Sequence, residues 1–119
     1  MDHPKLIRPA EHAIYDASKM GKATLFQSPR LLAGLNAFEP DQEHALHAHT
    51  GTDKVYVVVE GSGEFLIEGA ALAMREGEML VAPAGVPHGI RNTGGRRLLV
   101  LAILAPGPGV AGTDSRIVP

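Results

Sequence analysis

Turn residues decide what this chain can fold into. Fourteen glycines and nine prolines punctuate its 119 residues; proline fixes φ, and glycine supplies backbone angles that other residues avoid. Long helices do not survive such punctuation, so short strands joined by turns are expected. The strongest strand signal is residues 54–60, whose VYVVV core is entirely β-branched or aromatic. Gly61-Ser62-Gly63 reads as a hairpin turn into residues 64–68, where Glu64, Leu66 and Glu68 alternate with Phe65 and Ile67. Glu64 and Glu68 then form a solvated face, and Phe65, Ile67, Leu80 and Ala82 line the core. Further strands are expected at 12–15, 22–27, 30–38, 45–49, 72–75, 79–82 and 98–104. Gly34 and Pro40 disfavour a helix over 30–37. The fold class is all-β, a single small antiparallel sandwich or barrel spanning 12–105. An extended arm at 1–11 precedes it and a loose tail at 106–119 follows.

Composition narrows the function. Apolar residues make up 45% and charged residues 20%, with a net charge of −2. Nothing in that balance favours nucleic acid or an anionic membrane. The absence of cysteine excludes disulfides, thiolate metal sites and a cysteine nucleophile, and fits a reducing cytoplasm. The polar, proline-broken N-terminus lacks a signal-peptide layout, and the longest apolar run, 98–105, is too short to span a bilayer. The arm and the apolar runs VYVVV and LLVLAIL favour a homodimer that buries one sheet face against a second copy.

Chemistry concentrates in two places. His47 and His49 are two residues apart, so on a strand both would face one side, roughly 7 Å apart at the backbone. The stretch from Gly77 to Asn92 (GEMLVAPAGVPHGIRN) runs through a short strand into a rigid Pro83–Pro87 corner that delivers His88. Three imidazoles from these segments can converge on one ion, a variant of the facial arrangement of non-haem iron sites. Two polar residues on a surface strand is the plainer reading of His47 and His49 taken alone. His44, three before His47, suits a helix better than this strand; like His3 and His12, it has no identifiable partner. Asn92 is expected to cap its turn.

These residues resemble the cupin superfamily. Gly77-x5-Pro83-x-Gly85-x2-His88-x3-Asn92 matches the second cupin motif at every fixed position. The first motif, Gly-x5-His-x-His-x3–4-Glu-x6-Gly, is matched at His47, His49 and Gly61 but not at its opening glycine, here Asp41, or at its glutamate, here Lys54. The resemblance covers residues 31–104. Asp41 is a mild departure, since aspartate tolerates left-handed turn angles. Lys54 is not mild: the family glutamate is commonly the fourth protein ligand, and an ammonium cannot coordinate. Lys54 either faces the cavity and holds an anionic substrate, or swings to solvent, or yields to Asp53 across a local bulge. The cavity of a degenerate site would serve binding alone. Tyr56 shares the strand parity of Lys54, so it either donates a hydrogen bond into the cavity or packs in the core.

The resemblance implies a divalent transition metal (Fe, Mn, Ni, Cu or Zn) held by His47, His49 and His88, with Lys54 and Tyr56 as catalytic candidates acting on a small molecule. Such cupins include dioxygenases, sugar isomerases and epimerases, decarboxylases and sensing proteins. The reading it favours is an oxygenase-type oxidoreductase, because three imidazoles leave up to three positions open on a six-coordinate ion. The alternatives are a non-catalytic cupin that binds an anion or sugar, and a sugar isomerase or epimerase.

Overall fold

A computed structural model describes residues 3–108. A single 3-10 turn, Pro9–His12, precedes nine strands: β1 (Gly21–Gln27), β2 (Leu32–Phe38), β3 (Glu43–His47), β4 (Asp53–Glu60), β5 (Ser62–Ile67), β6 (Ala70–Arg75), β7 (Met79–Ala82), β8 (His88–Arg91) and β9 (Leu98–Ala105). They form two antiparallel sheets, one ordered β1-β2-β9-β4-β7 and the other β3-β8-β5-β6. The all-β antiparallel architecture expected from the turn residues is observed, in the jelly-roll form that the cupin resemblance implies.

Strand alternation explains the core. On β4, Tyr56 and Val58 point inward beside Lys54, while Val55, Val57 and Val59 point outward and are half-buried. Inward residues of the two sheets meet in one cluster that includes Phe38, Tyr56, Phe65, Met74, Ile90, Val100 and Leu104, with Ile67 and Leu80 packed against it. Each fully buried side chain of this kind contributes about 1.5–3 kcal/mol. A second cluster, Leu35, Ala37 and Leu99, sits on the outer face of the five-stranded sheet beneath Ala13 and Tyr15.

The structure moves several expected boundaries. The 12–15 segment is not a strand: after the Pro9–His12 turn it packs Tyr15 on the outer cluster, and the Arg97 guanidinium lies 4.2 Å from that ring while pairing with Glu39 at 3.0 Å. The expected 45–49 strand becomes Glu43–His47, with His49 beyond its end. The hairpin before β5 is tighter than a three-residue turn, because Ser62 and Gly63 already belong to the strand. Gly61 makes it possible: its φ is 84°, and an added Cβ would collide with the Arg97 carbonyl oxygen. At the chain's end, Gly107 N–H donates to Pro29 O at 3.0 Å, docking the first residues after β9. The remainder of the expected tail, 109–119, lies outside the described residues.

Two residues at the ends of the motifs hold the loops. Asp41 adopts φ 70° where the family carries glycine. Asn92 is buried; its amide donates to Arg96 O (2.7 Å) and Phe38 O (3.2 Å) and accepts from Gly94 N–H (3.1 Å). Removing it strands buried backbone groups, so Asn92→Ala should cost about 1–3 kcal/mol. Urea denaturation should show a lower midpoint with an unchanged slope.

Candidate metal centre

A corner and a bulge bring the histidines together. After β7 the chain turns through Pro83–Pro87; Val86 N–H donates to Pro83 O at 3.1 Å, and Gly85 takes φ 79°. Gly85 N–H then donates to His49 O at 2.8 Å, so the corner that aims His88 also fixes the segment carrying His49. Across β3 and β8, His44 pairs with Ile90 and His47 with His88. Between these pairs two residues of β3, Ala45 and Leu46, oppose one of β8, Gly89, which is a β-bulge. The bulge turns His44 and His47 to the same inward side, which a regular strand would forbid.

His47, His49 and His88 each offer a ligand atom, all within 4.8 Å of one another. Ring centroids are 4.9 Å apart for His47 and His49, 4.3 Å for His47 and His88, and 6.0 Å for His49 and His88. Two rings have their tautomer set from outside: His47 Nδ1 lies 2.7 Å from Ala45 O and His88 Nδ1 lies 3.0 Å from Val86 O. A carbonyl oxygen only accepts, so each Nδ1 carries the proton and each Nε2 presents a lone pair. Both Nε2 atoms are buried without a hydrogen-bond partner. This donor set fits a divalent transition ion, which takes imidazole nitrogen at about 2.0–2.1 Å when zinc.

The electrostatics keep these rings neutral. Burial pushes His88 down to about 4, opposed by its bond to Val86 and reinforced by repulsion from Lys54 and from the charged forms of His47 and His49. Burial also lowers His47, with Lys54 and Lys22 adding to the effect. Neutral imidazole is the ligating form.

Lys54 lies inside. It is 1% exposed, stands in register between Leu104 and Ala82, and its Nζ has no hydrogen-bond partner. The ammonium sits 4.7 Å from the centroid of Tyr56, a cation–π contact. Burial, then Lys22, pushes it down to about 7. Asp53 does not replace it, because that exposed carboxylate accepts Ala84 N–H at 2.9 Å, tying β4 to the corner instead. Tyr56 is fully buried, 5.9 Å from both Phe65 and His88, with an unpartnered hydroxyl that burial pushes up. It therefore packs in the core and also reaches the site.

Two polar residues depart from the sequence expectation: His44, expected to have no partner, and Asn36, for which no role is expected. His44 stacks on His47 at 4.1 Å and 22°; burial first, then His47 and Lys54, pushes it down to about 3. Only the bulge brings it in, and nothing in the local pattern announces a bulge. Asn36 is fully buried with both amide atoms unpartnered. Its signal was legible as the one polar residue in LAGLNAF.

Comparison with known proteins fits this geometry. The family profile described as Cupin domain matches residues 34–104. The chain is a cupin. An oxalate-binding protein of Thermotoga maritima is 28% identical over 88 residues, covering 74% of this cupin and 72% of that protein. A 5-nitrosalicylic acid 1,2-dioxygenase of a Bradyrhizobium species is 30% identical over 76 residues, covering 64% of this chain but only 36% of the dioxygenase. Among solved structures, TT1209 from Thermus thermophilus superposes with a TM-score of 0.81 at 37% identity, covering 87% of this cupin and 98% of that chain.

The core of this cupin is built mainly from apolar strand faces, so the barrel is expected to fold without metal. His88→Ala should therefore remove most bound metal, measured by elemental analysis, while circular dichroism stays that of the barrel. Lys54→Glu would place a carboxylate beside the imidazoles, and Mn(II) affinity by calorimetry should rise by about tenfold or more, about 1.4 kcal/mol.

Proposed function

We propose that this cupin is a metal-dependent oxidoreductase of the oxygenase type acting on a small carboxylate-bearing molecule. The observation that carries the reading is the Lys54 ammonium, buried against the three-histidine group with no counter-charge. No aspartate or glutamate among the described residues is buried, and no carboxylate contributes to the shift of Lys54. A buried cation without a partner is costly. An anionic substrate would supply what the protein leaves out.

A divalent ion held by His47, His49 and His88 would supply Lewis-acid or redox chemistry with coordination positions left open. Beside it, Lys54 would grip the substrate carboxylate, and the Tyr56 hydroxyl would donate to a second oxygen and fix the orientation. Burial of both groups would strengthen these contacts by excluding water. The relative named as a dioxygenase supports this class; its namesake substrate is an aromatic acid.

A second reading, a cupin that binds an anion without turning it over, is favoured by the relative named for oxalate binding and by lysine at the glutamate position. Protein purified without chelators separates the two. Its metal content would be measured first, and oxygen uptake would then be followed electrochemically with salicylate-type and oxalate-type acids. Uptake with an aromatic hydroxy acid is expected; anion binding without uptake by any metal-loaded form would sink the enzyme reading. Lys54→Met should weaken carboxylate binding by tenfold or more in calorimetry. Unchanged binding would remove Lys54 from the site.

A further inference from the structure

The inner face of the five-stranded sheet changes character toward one edge. On β4 and β9 it is mostly apolar core. On β1 it carries Lys22, Thr24 and Gln27, whose register partners are Asn36, Gly34 and Leu32, and all three stay exposed. Ala23 and Leu25 turn the other way and pack on the outer cluster. The space beneath β1 is therefore an opening between the sheets.

Three inward ladders lead from this opening toward the metal centre. The first reads Lys22, Asn36, Val100, Val58. The second reads Thr24, Gly34, Ala102, Tyr56, and the third Gln27, Leu32, Leu104, Lys54. In the middle ladder the two strands between Thr24 and Tyr56 contribute only a hydrogen and a methyl group. A trough thus crosses the sheet from the β1 opening to Tyr56, with Asn36 along one side and Lys54 at its far end. It spans three strand spacings, about 14 Å.

The near end of the trough holds polar groups that the chain leaves unsatisfied. Asn36 is fully buried, and neither atom of its amide has a hydrogen-bond partner, which native interiors rarely tolerate. Its neighbour Lys22 also walls a cleft of about 540 Å³ with Lys19, Met20 and Glu43. Among the described residues no carboxylate pairs with Lys22 or with Lys54. The Asp16 carboxylate on the same cleft accepts from Ser18 N–H at 2.8 Å and Ser18 Oγ at 2.7 Å, and Glu43 stands opposite Arg91 on β8. The charge of Lys22 is felt at Lys54, His44 and His47, so the two ends of the trough belong to one electrostatic site.

We propose that Lys22 and Asn36 form a second acid-binding subsite, so that the substrate is a diacid held at one carboxylate by Lys54 and at the other by Lys22 and Asn36. The inference rests on the reading that the metal centre takes a carboxylate, and it narrows that class. A monoacid would neutralise one of two cations that repel each other; a diacid neutralises both. Asn36 Nδ2 donates to a carboxylate oxygen and Oδ1 accepts from the Lys22 ammonium. Lys22 stands on the edge strand between Asn36 and solvent, and its flexible stem lets the ligand pass. A site built with paired polar groups discriminates against a ligand that lacks one of their partners.

Calorimetry on the Mn(II)-loaded full chain under nitrogen would compare salicylate with 5-carboxysalicylate, the same ring bearing a second carboxylate. The parent should bind the diacid tenfold or more tighter. Lys22→Met should abolish that advantage while salicylate affinity stays within twofold, and Lys22→Arg should retain it. Lys22 is exposed on an edge strand, so folding is not at issue there. Asn36→Leu, of similar volume, should shrink the advantage. A full diacid advantage in Lys22→Met, or in a folded Asn36→Leu, would overturn the subsite. A parent that binds salicylate but gains nothing from the second carboxylate would overturn it too, leaving the proposed function standing. Diacid binding that depends on Lys22, without oxygen uptake in air, would support the subsite and sink the enzyme reading. A parent that binds neither acid would overturn both.

Discussion

A backbone hydrogen bond at the proline corner helps hold the candidate metal centre together. His49 lies past the end of β3 and His88 opens β8, in the opposite direction along the chain's path through the sheet. Gly85 N–H donates to His49 O at 2.8 Å, and with the His47–His88 pairing across β3 and β8 it sets the distance between the segments carrying these imidazoles. It requires the corner to present an N–H at a left-handed residue, which glycine does without strain, while the flanking prolines hold the rest of the turn at fixed φ. Asp53, accepting from Ala84 N–H, pins the same corner to β4 and so to the strand that carries Lys54 and Tyr56.

The interior this creates is unusual in its charge. Imidazoles and one ammonium converge without a single buried carboxylate among the described residues. Each group lowers its neighbours' affinity for protons, and burial does so more strongly still. The result is a set of neutral nitrogens next to a lysine held near its titration point. Such an arrangement is destabilising by itself, and the apolar clusters on both sides of the five-stranded sheet offset it. A metal ion and an anion are the two species that would satisfy the remaining lone pairs and the remaining positive charge.

Much of this was legible in the sequence. The β-branched run at 54–60 became β4, the Pro83–Pro87 corner delivered His88, and Asn92 caps its turn with two side-chain bonds while a third ties it to Phe38 O. Strand parity placed Tyr56 beside Lys54 because side chains alternate with a period of two on any regular strand. The same rule failed at His44, where the extra residue of a bulge reverses parity, and at 12–15, where a proline-initiated 3-10 turn and packing by Tyr15 replaced a weak strand signal.

What the sequence determined by itself is therefore local: turn positions fixed by glycine and proline, strands fixed by alternation, and histidine spacings that match the cupin motifs. Only tertiary structure decided where Lys54 points, that Asp53 serves the corner rather than the metal, and that His44 stacks on His47. Those outcomes depend on which strand lies opposite which, and on whether a buried group finds a partner there. Neither quantity is carried by neighbouring residues in the chain, because register and burial are set between segments distant in sequence.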